Sequence, residues 1–157
     1  MLLPLFQSLE DSAIGEAIRG SLWLFPVVEA FHLVGLAMIG GAILVVDFRL
    51  LGLGLRSHPV SRLARDTQPW VIGSLVLMIL SGLPLFLSEA IKCYYSFAFW
   101  TKMTALLLAI IFTFTVRRSV TAAAEGRFAP WLNKAVAMTS LALWSPVGWG
   151  GRWIGFS

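Results

Sequence analysis

The chain has 157 residues, 58% of them hydrophobic and 13% charged, with a formal net charge of +4 at pH 7. Soluble domains run nearer half apolar and a quarter charged, so a mean hydropathy of +0.82 excludes an ordinary soluble domain and points to the lipid bilayer. The positive charge does not point to nucleic acid, because the basic residues fall between apolar runs as in polytopic membrane proteins, and one cysteine, Cys93, excludes a disulfide framework or a Cys-rich metal site.

Residues 1–20 are too short and too charged to cross a bilayer. Leu9, Ala13, Ile14, Ala17 and Ile18 share one helical face, which predicts an interfacial amphipathic helix, with Ser8 as N-cap and Asp11 as a weak capping box. No basic residue precedes Glu10 and Asp11, so no cleavable signal is expected. The first transmembrane helix is predicted over 22–46, a run of 25 residues interrupted by Glu29 and His32. At 100° per residue Glu29 and Asp47 share an azimuth, and His32, Leu36, Gly40 and Ile43 fall near it, so this polar or small stripe is expected to face inward. A loop from Gly52 to Gln68 follows, punctuated by Pro59 and Pro69 and carrying His58, to which no role is given.

The second span, 70–87, repeats Ser74, Ser81 and Ser88 every seven residues, a pattern that lets membrane helices approach closely. Residues 89–97 read as a short polar connection. The third span, 98–116, carries Lys102 near its entrance, where it can snorkel, and Thr101, Thr104, Leu108, Ile111 and Thr115 along one face. The fourth, 135–151, follows the second basic loop with a stripe of Asn133, Ala137, Ser140, Trp144 and Val147, and Arg152 among tryptophans marks the far interface. The fold class expected is thus all-α: one membrane domain, a four-transmembrane-helix bundle with an N-terminal interfacial helix. Eight of the twelve Lys and Arg (Arg49, Arg56, Arg62, Arg65, Arg117, Arg118, Arg127, Lys134) lie on one side, which marks that side as cytoplasmic and puts both termini in the periplasm.

Ionisable residues inside such spans are functional candidates by default. His32 is a candidate axial ligand for a b-type haem, which implies electron transfer; Glu29 stands one turn away, Gly35, Gly40 and Gly41 leave room for a porphyrin, and Trp144 is a candidate for stacking. The second ligand is expected from His32 of a second copy, with Met78, Met103 and Met138 as alternatives. Two other readings use the same residues. In one, Glu29 and His32 hydrogen-bond to the Ser and Thr stripes, to Lys102 or to Arg152, and only fix the bundle; in the other they form a proton or ion path. Asp47, Arg49, Lys102 and Arg152 are read as structural and topological. Further carboxylates for a di-metal site are absent from the spans, and no phosphate loop or nucleophile–base pair is found, so the chain does not read as an enzyme. Cys93 is expected to be a free external thiol or an intersubunit bridge. With so little mass outside the bilayer, a homo-oligomer or a subunit of a membrane complex is expected.

The segment Ser21-Leu-Trp-Leu-Phe-Pro26 with Glu29 and His32, then Asp47-Phe-Arg-Leu-Leu-Gly52, Lys102, and Gly151-Arg-Trp-Ile-Gly-Phe156 together resemble a family of small, uncharacterised bacterial four-helix membrane proteins. The resemblance covers nearly the whole chain. It implies a bacterial inner-membrane location and this topology, and it supplies no activity.

Overall fold

The computed structural model describes residues 2–123 and 125–154, the last four by backbone alone, and all regular structure among them is helical. Two short helices, α1 (Leu3–Glu10) and α2 (Ala13–Arg19), precede the long α3 (Leu24–Leu51) and α4 (Val60–Ser88). After the one-and-a-half-turn α5 (Ala90–Tyr95) comes a continuous rod made of α6 (Phe97–Phe112), a π turn (Thr113–Arg117) and α7 (Arg118–Ala122), and then α8 (Pro130–Ile154).

Three helices are long and apolar enough to cross a membrane: α3, α4 and the rod Phe97–Ala122. In the most apolar window of each, 33%, 33% and 17% of the residues are buried, so side chains such as Phe31, Leu33, Ile79, Leu80 and Leu107 stand exposed on all of them. That arrangement is unfavourable in water and favourable in hydrocarbon. The expected fourth span is where the structure differs. Although α8 is 25 residues long, it is not among the helices apolar enough to qualify within the described residues, because Asn133, Lys134, Thr139, Ser140, Ser145 and Pro146 dilute it.

The long helices pack in a definite order. α3 lies between α4 and α8, α8 also packs along α6, and α7 reaches across to α4. One core layer joins Ile39, Ala42, Ile43, Val71 and Met78. The next, toward the arginine-rich end, joins Val46, Leu50, Val136 and Ala137, with Val60, Leu63 and Ala64 packed on it. This second layer explains why α4 begins ten residues before the apolar run from Trp70. Pro59 punctuates its start, whereas Pro69 is accommodated within the helix because the first two turns have an apolar edge to bury. At the end of α3, Gly52 takes φ +80°, and its N–H and that of Leu53 bond Arg49 O and Phe48 O in a Schellman closure.

At the opposite end the first twenty residues fold into a cap rather than one amphipathic helix. Ser12, not Ser8, is the N-cap that starts α2, its Oγ accepting from Gly15 N at 3.3 Å; Ser8 instead donates to Leu5 O inside α1. Phe6 inserts among Phe86, Tyr94 and Trp100, with ring centroids 5.6, 5.1 and 6.3 Å away. The Glu10 carboxylate pairs with Arg19 at 3.3 Å and accepts from Ile91 N in the first turn of α5 at 2.6 Å. Arg19 in turn donates to Ser88 O.

The cap closes on Gly15, where a Cβ would stand 2.5 Å from Glu10 O and 2.6 Å from Leu87 O, both rigid backbone atoms. Gly15→Ala is therefore expected to cost about 1–3 kcal/mol through overpacking. Gly40→Ala, whose Cβ would meet nothing within 4 Å, should be neutral or stabilising by up to about 1 kcal/mol through helix propensity. Unfolding of the purified variants in detergent compares the two.

Candidate functional site

Two polar centres sit inside the helices. The inner one, toward the arginine-rich end, is built on Asp47, which has no exposed surface, and Arg117, 6% exposed. Arg117 Nε donates to Asp47 Oδ1 at 2.9 Å, and its Nη2 donates to Ile43 O at 3.3 Å. The π turn positions this arginine. In a regular α-helix residues four apart drift by about 40° around the axis, and the wider i→i+5 turn offsets that drift, so Ala109, Thr113, Arg117 and Thr121 all stay buried. Thr113 carries the network to α8 by accepting from Trp144 Nε1 at 3.2 Å. Ser140, fully buried on α8, lies beside the Asp47 carboxylate, yet its Oγ and Asp47 Oδ2 are both without a hydrogen-bond partner among the described residues.

The outer centre is built on His32, half-buried on α3. Its Nδ1 lies 3.0 Å from Ser81 Oγ on α4, and Gly82 permits the approach, since a Cβ there would stand 3.1 Å from the imidazole Cε1. Ser81 has one proton, and it goes to Leu77 O at 2.6 Å. An Nδ1–H tautomer would let the Ser81 oxygen accept from the ring while its proton goes to Leu77 O, and would leave the lone pair on Nε2. Lys102 on α6 is half-buried with its stem packed on Gly150, and it has no acidic partner among the described residues.

Some of the residues singled out from sequence come together and others do not. His32 joins the serine stripe of α4, of which Ser74, Ser81 and Ser88 are all buried. Glu29, expected on the inward stripe, is exposed and has no hydrogen bond or ion pair among the described residues; its azimuth lies at the margin of the face centred on Gly35, Ile39, Ala42 and Val46. Gly40 is half-buried beside open space. Trp144 is engaged by Thr113 at the inner centre. Met78 is packed in the core against Gly35, whereas Met103 and Met138 are exposed. Arg49 ties α3 to the loops, donating to His58 O at 2.9 Å and to Glu125 at 3.1 Å. The side chain of Arg152 lies outside the described residues.

The threonine face expected to line the third span is turned the other way. Thr101, Thr104, Leu108, Ile111 and Thr115 are all exposed, and Thr101 and Thr115 satisfy their hydroxyls on carbonyls four residues back. Sequence reading missed Arg117, counted only as a basic loop residue. The signal was present in Asp47, an inward carboxylate that needs a cation, and in the four-residue spacing of Ala109, Thr113, Arg117 and Thr121.

Cys93, on α5 outside the apolar helices, is 7% exposed and free, so the external thiol expected from sequence is covered. Burial, helped by the Glu89 charge, pushes the thiol up to about 11.

These features define an all-helical protein with three helices able to cross a membrane, braced inside by a buried ion pair. The chain belongs to a family of unknown function (DUF6644), which it matches over residues 11–157. No curated protein and no solved structure matches it.

Two expectations follow from this geometry. Asp47→Leu or Arg117→Leu alone leaves an uncompensated buried charge and should cost about 3–5 kcal/mol, while the double variant should recover most of that loss; a double-mutant cycle in detergent unfolding measures it. With its raised ionisation, Cys93 is about 0.1% thiolate at pH 8, so maleimide should label the folded protein slowly, tenfold faster per pH unit up to about pH 11, and rapidly once it is unfolded.

Proposed function

We propose that the chain is a four-span protein of the bacterial inner membrane, with both termini in the periplasm, and that its functional group is the His32 imidazole. On this reading α8 is the fourth span, and the arginine-rich end faces the cytoplasm. Even with Arg117 drawn into the interior, seven basic residues remain there, as the positive-inside rule requires.

The observation that carries the functional reading is the hydrogen bond to Ser81. A ring held at Nδ1 presents Nε2 as an oriented lone pair, the arrangement by which a protein prepares a histidine to ligate iron. His32 would hold the iron of a b-type haem, the open space at Gly40 would leave room on the same helix, and Lys102 would supply a cation for an acidic group of the cofactor. The second ligand is assigned to His32 of a second copy, because the three methionines are packed away or turned outward. Glu29 favours the same assembly. An exposed carboxylate in a transmembrane helix is costly against lipid, and a second copy packed on this face removes that cost. Bound haem would supply one-electron chemistry there; the chain's own residues orient the ligand and balance the charge.

The alternative use of the same lone pair is as a proton acceptor. One experiment separates the readings. Protein produced with haem supplied during expression should show a Soret band that is lost in His32→Ala and weakened or shifted in Ser81→Ala, which frees the ring. Absence of the band from folded wild-type protein rejects the haem reading and leaves the proton-acceptor and purely structural ones. Reporter fusions at both termini test the orientation.

A further inference from the structure

Away from both centres, a groove of about 310 Å³ runs between the start of α4 and the π turn with α7, lined by Ser61, Arg65, Gln68, Arg117, Arg118 and Thr121 among others. No acidic side chain lines it. Arg19, Arg49 and Arg62, by contrast, each pair with a carboxylate, of Glu10, Glu125 or Asp66 respectively. Arg65 and Arg118 are exposed and have no acidic partner among the described residues.

Arg117 contributes from beneath. Asp47 and Ile43 O occupy its Nε and Nη2, and the residue also lines the groove. One guanidinium is thus fixed and charge-balanced by Asp47, and two more carry uncompensated charge. Hydroxyl and amide donors from Ser61, Thr121 and Gln68 complete a set rich in donors and free of carboxylates. Several guanidinium forks with neutral donors around them match a tetrahedral oxyanion with several acceptor oxygens.

We propose that this groove binds a phosphate group. On the topology proposed above, on which the choice of source rests, the groove lies at the level of the inner-leaflet headgroups, so the phosphate is that of an anionic phospholipid or of a soluble phosphate compound. The ion pair that braces the bundle then also holds the floor of the site, because Asp47 fixes the guanidinium that the phosphate meets.

The test uses the full chain in neutral detergent, probed by native mass spectrometry with phosphatidylglycerol, phosphatidylcholine and inorganic phosphate. Phosphatidylglycerol should be retained at least about tenfold better than phosphatidylcholine, the loss expected for one charge-assisted hydrogen bond or more. Arg65→Gln with Arg118→Gln should abolish the preference, whereas Arg127→Gln, a basic residue stacked on Phe128 outside the groove, should keep it. Displacement of the lipid by millimolar inorganic phosphate assigns the site to soluble phosphates; retention against it assigns the site to the lipid headgroup. Equal retention of both lipids by wild-type protein with no phosphate adduct overturns the proposal, as does an equal loss in Arg127→Gln. Arg65 and Arg118 are both exposed, so the double variant should fold; the wild-type comparison of the two lipids tests the proposal independently of it.

Discussion

A carboxylate and a guanidinium inside an apolar bundle leave the chain little freedom. Either group alone would carry a desolvation penalty of several kcal/mol, so Asp47 and Arg117 have to meet, and their meeting sets how α3 lies against the rod of α6, the π turn and α7. The π turn follows from this requirement, since it keeps Arg117 on the same face as Thr113 and Ala109 rather than letting the helix carry it toward lipid. Thr113 then takes the indole N–H of Trp144, which brings α8 into the same register. α4 is attached by other means: the apolar layers around Val71 and Met78, and serines whose small side chains allow close contact.

The two ends of the molecule are held differently. At the arginine-rich end, charged side chains reach from helix to loop, with Arg49 and Glu125 joining the end of α3 to the start of α4. At the other end the cap of α1 and α2 is held by aromatic packing, by Glu10 across to α5, and by a backbone approach so close that only glycine fits at residue 15. His32 lies between these regimes, below the cap and several turns before Asp47 on the same helix, with a single side-chain hydrogen bond. Its half-burial leaves the imidazole accessible to something outside the described chain.

Much of this was legible in periodicity. The serine repeat of α4 and the Ile43–Asp47 end of the α3 stripe turn inward, whereas His32 and Gly40 are half-buried and Glu29 is exposed. Threonine misled the reading of the third span, for a physical reason. A threonine hydroxyl in a helix satisfies itself on the carbonyl four residues back, so Thr101 and Thr115 can face outward at little cost, and a row of threonines is no proof of an inward face. Glu29 misled it for another. It stands in the second turn of α3 at the margin of the face that packs on α4 and α8, so sharing an azimuth with Asp47 did not oblige it to share its burial. The tautomer of His32 could not be read from sequence at all, because it depends on where one serine proton goes.

That dependence on single protons extends to the inner centre. Ser74, Ser81, Ser88, Ser119 and Ser145 each donate to a carbonyl three or four residues back. Ser140 differs from them: it is fully buried and its hydroxyl has no partner among the described residues. The atom beside it is of the complementary kind, for Asp47 Oδ2 is an acceptor with no donor. A small shift of the Ser140 hydroxyl toward the carboxylate would satisfy both atoms at once and add α8 directly to the ion pair. An unpaired buried acceptor costs about 1–3 kcal/mol, so the bundle gains by closing that contact. Asp47 would then take one donor from the rod and one from α8, and a single carboxylate would tie α3 to both of them.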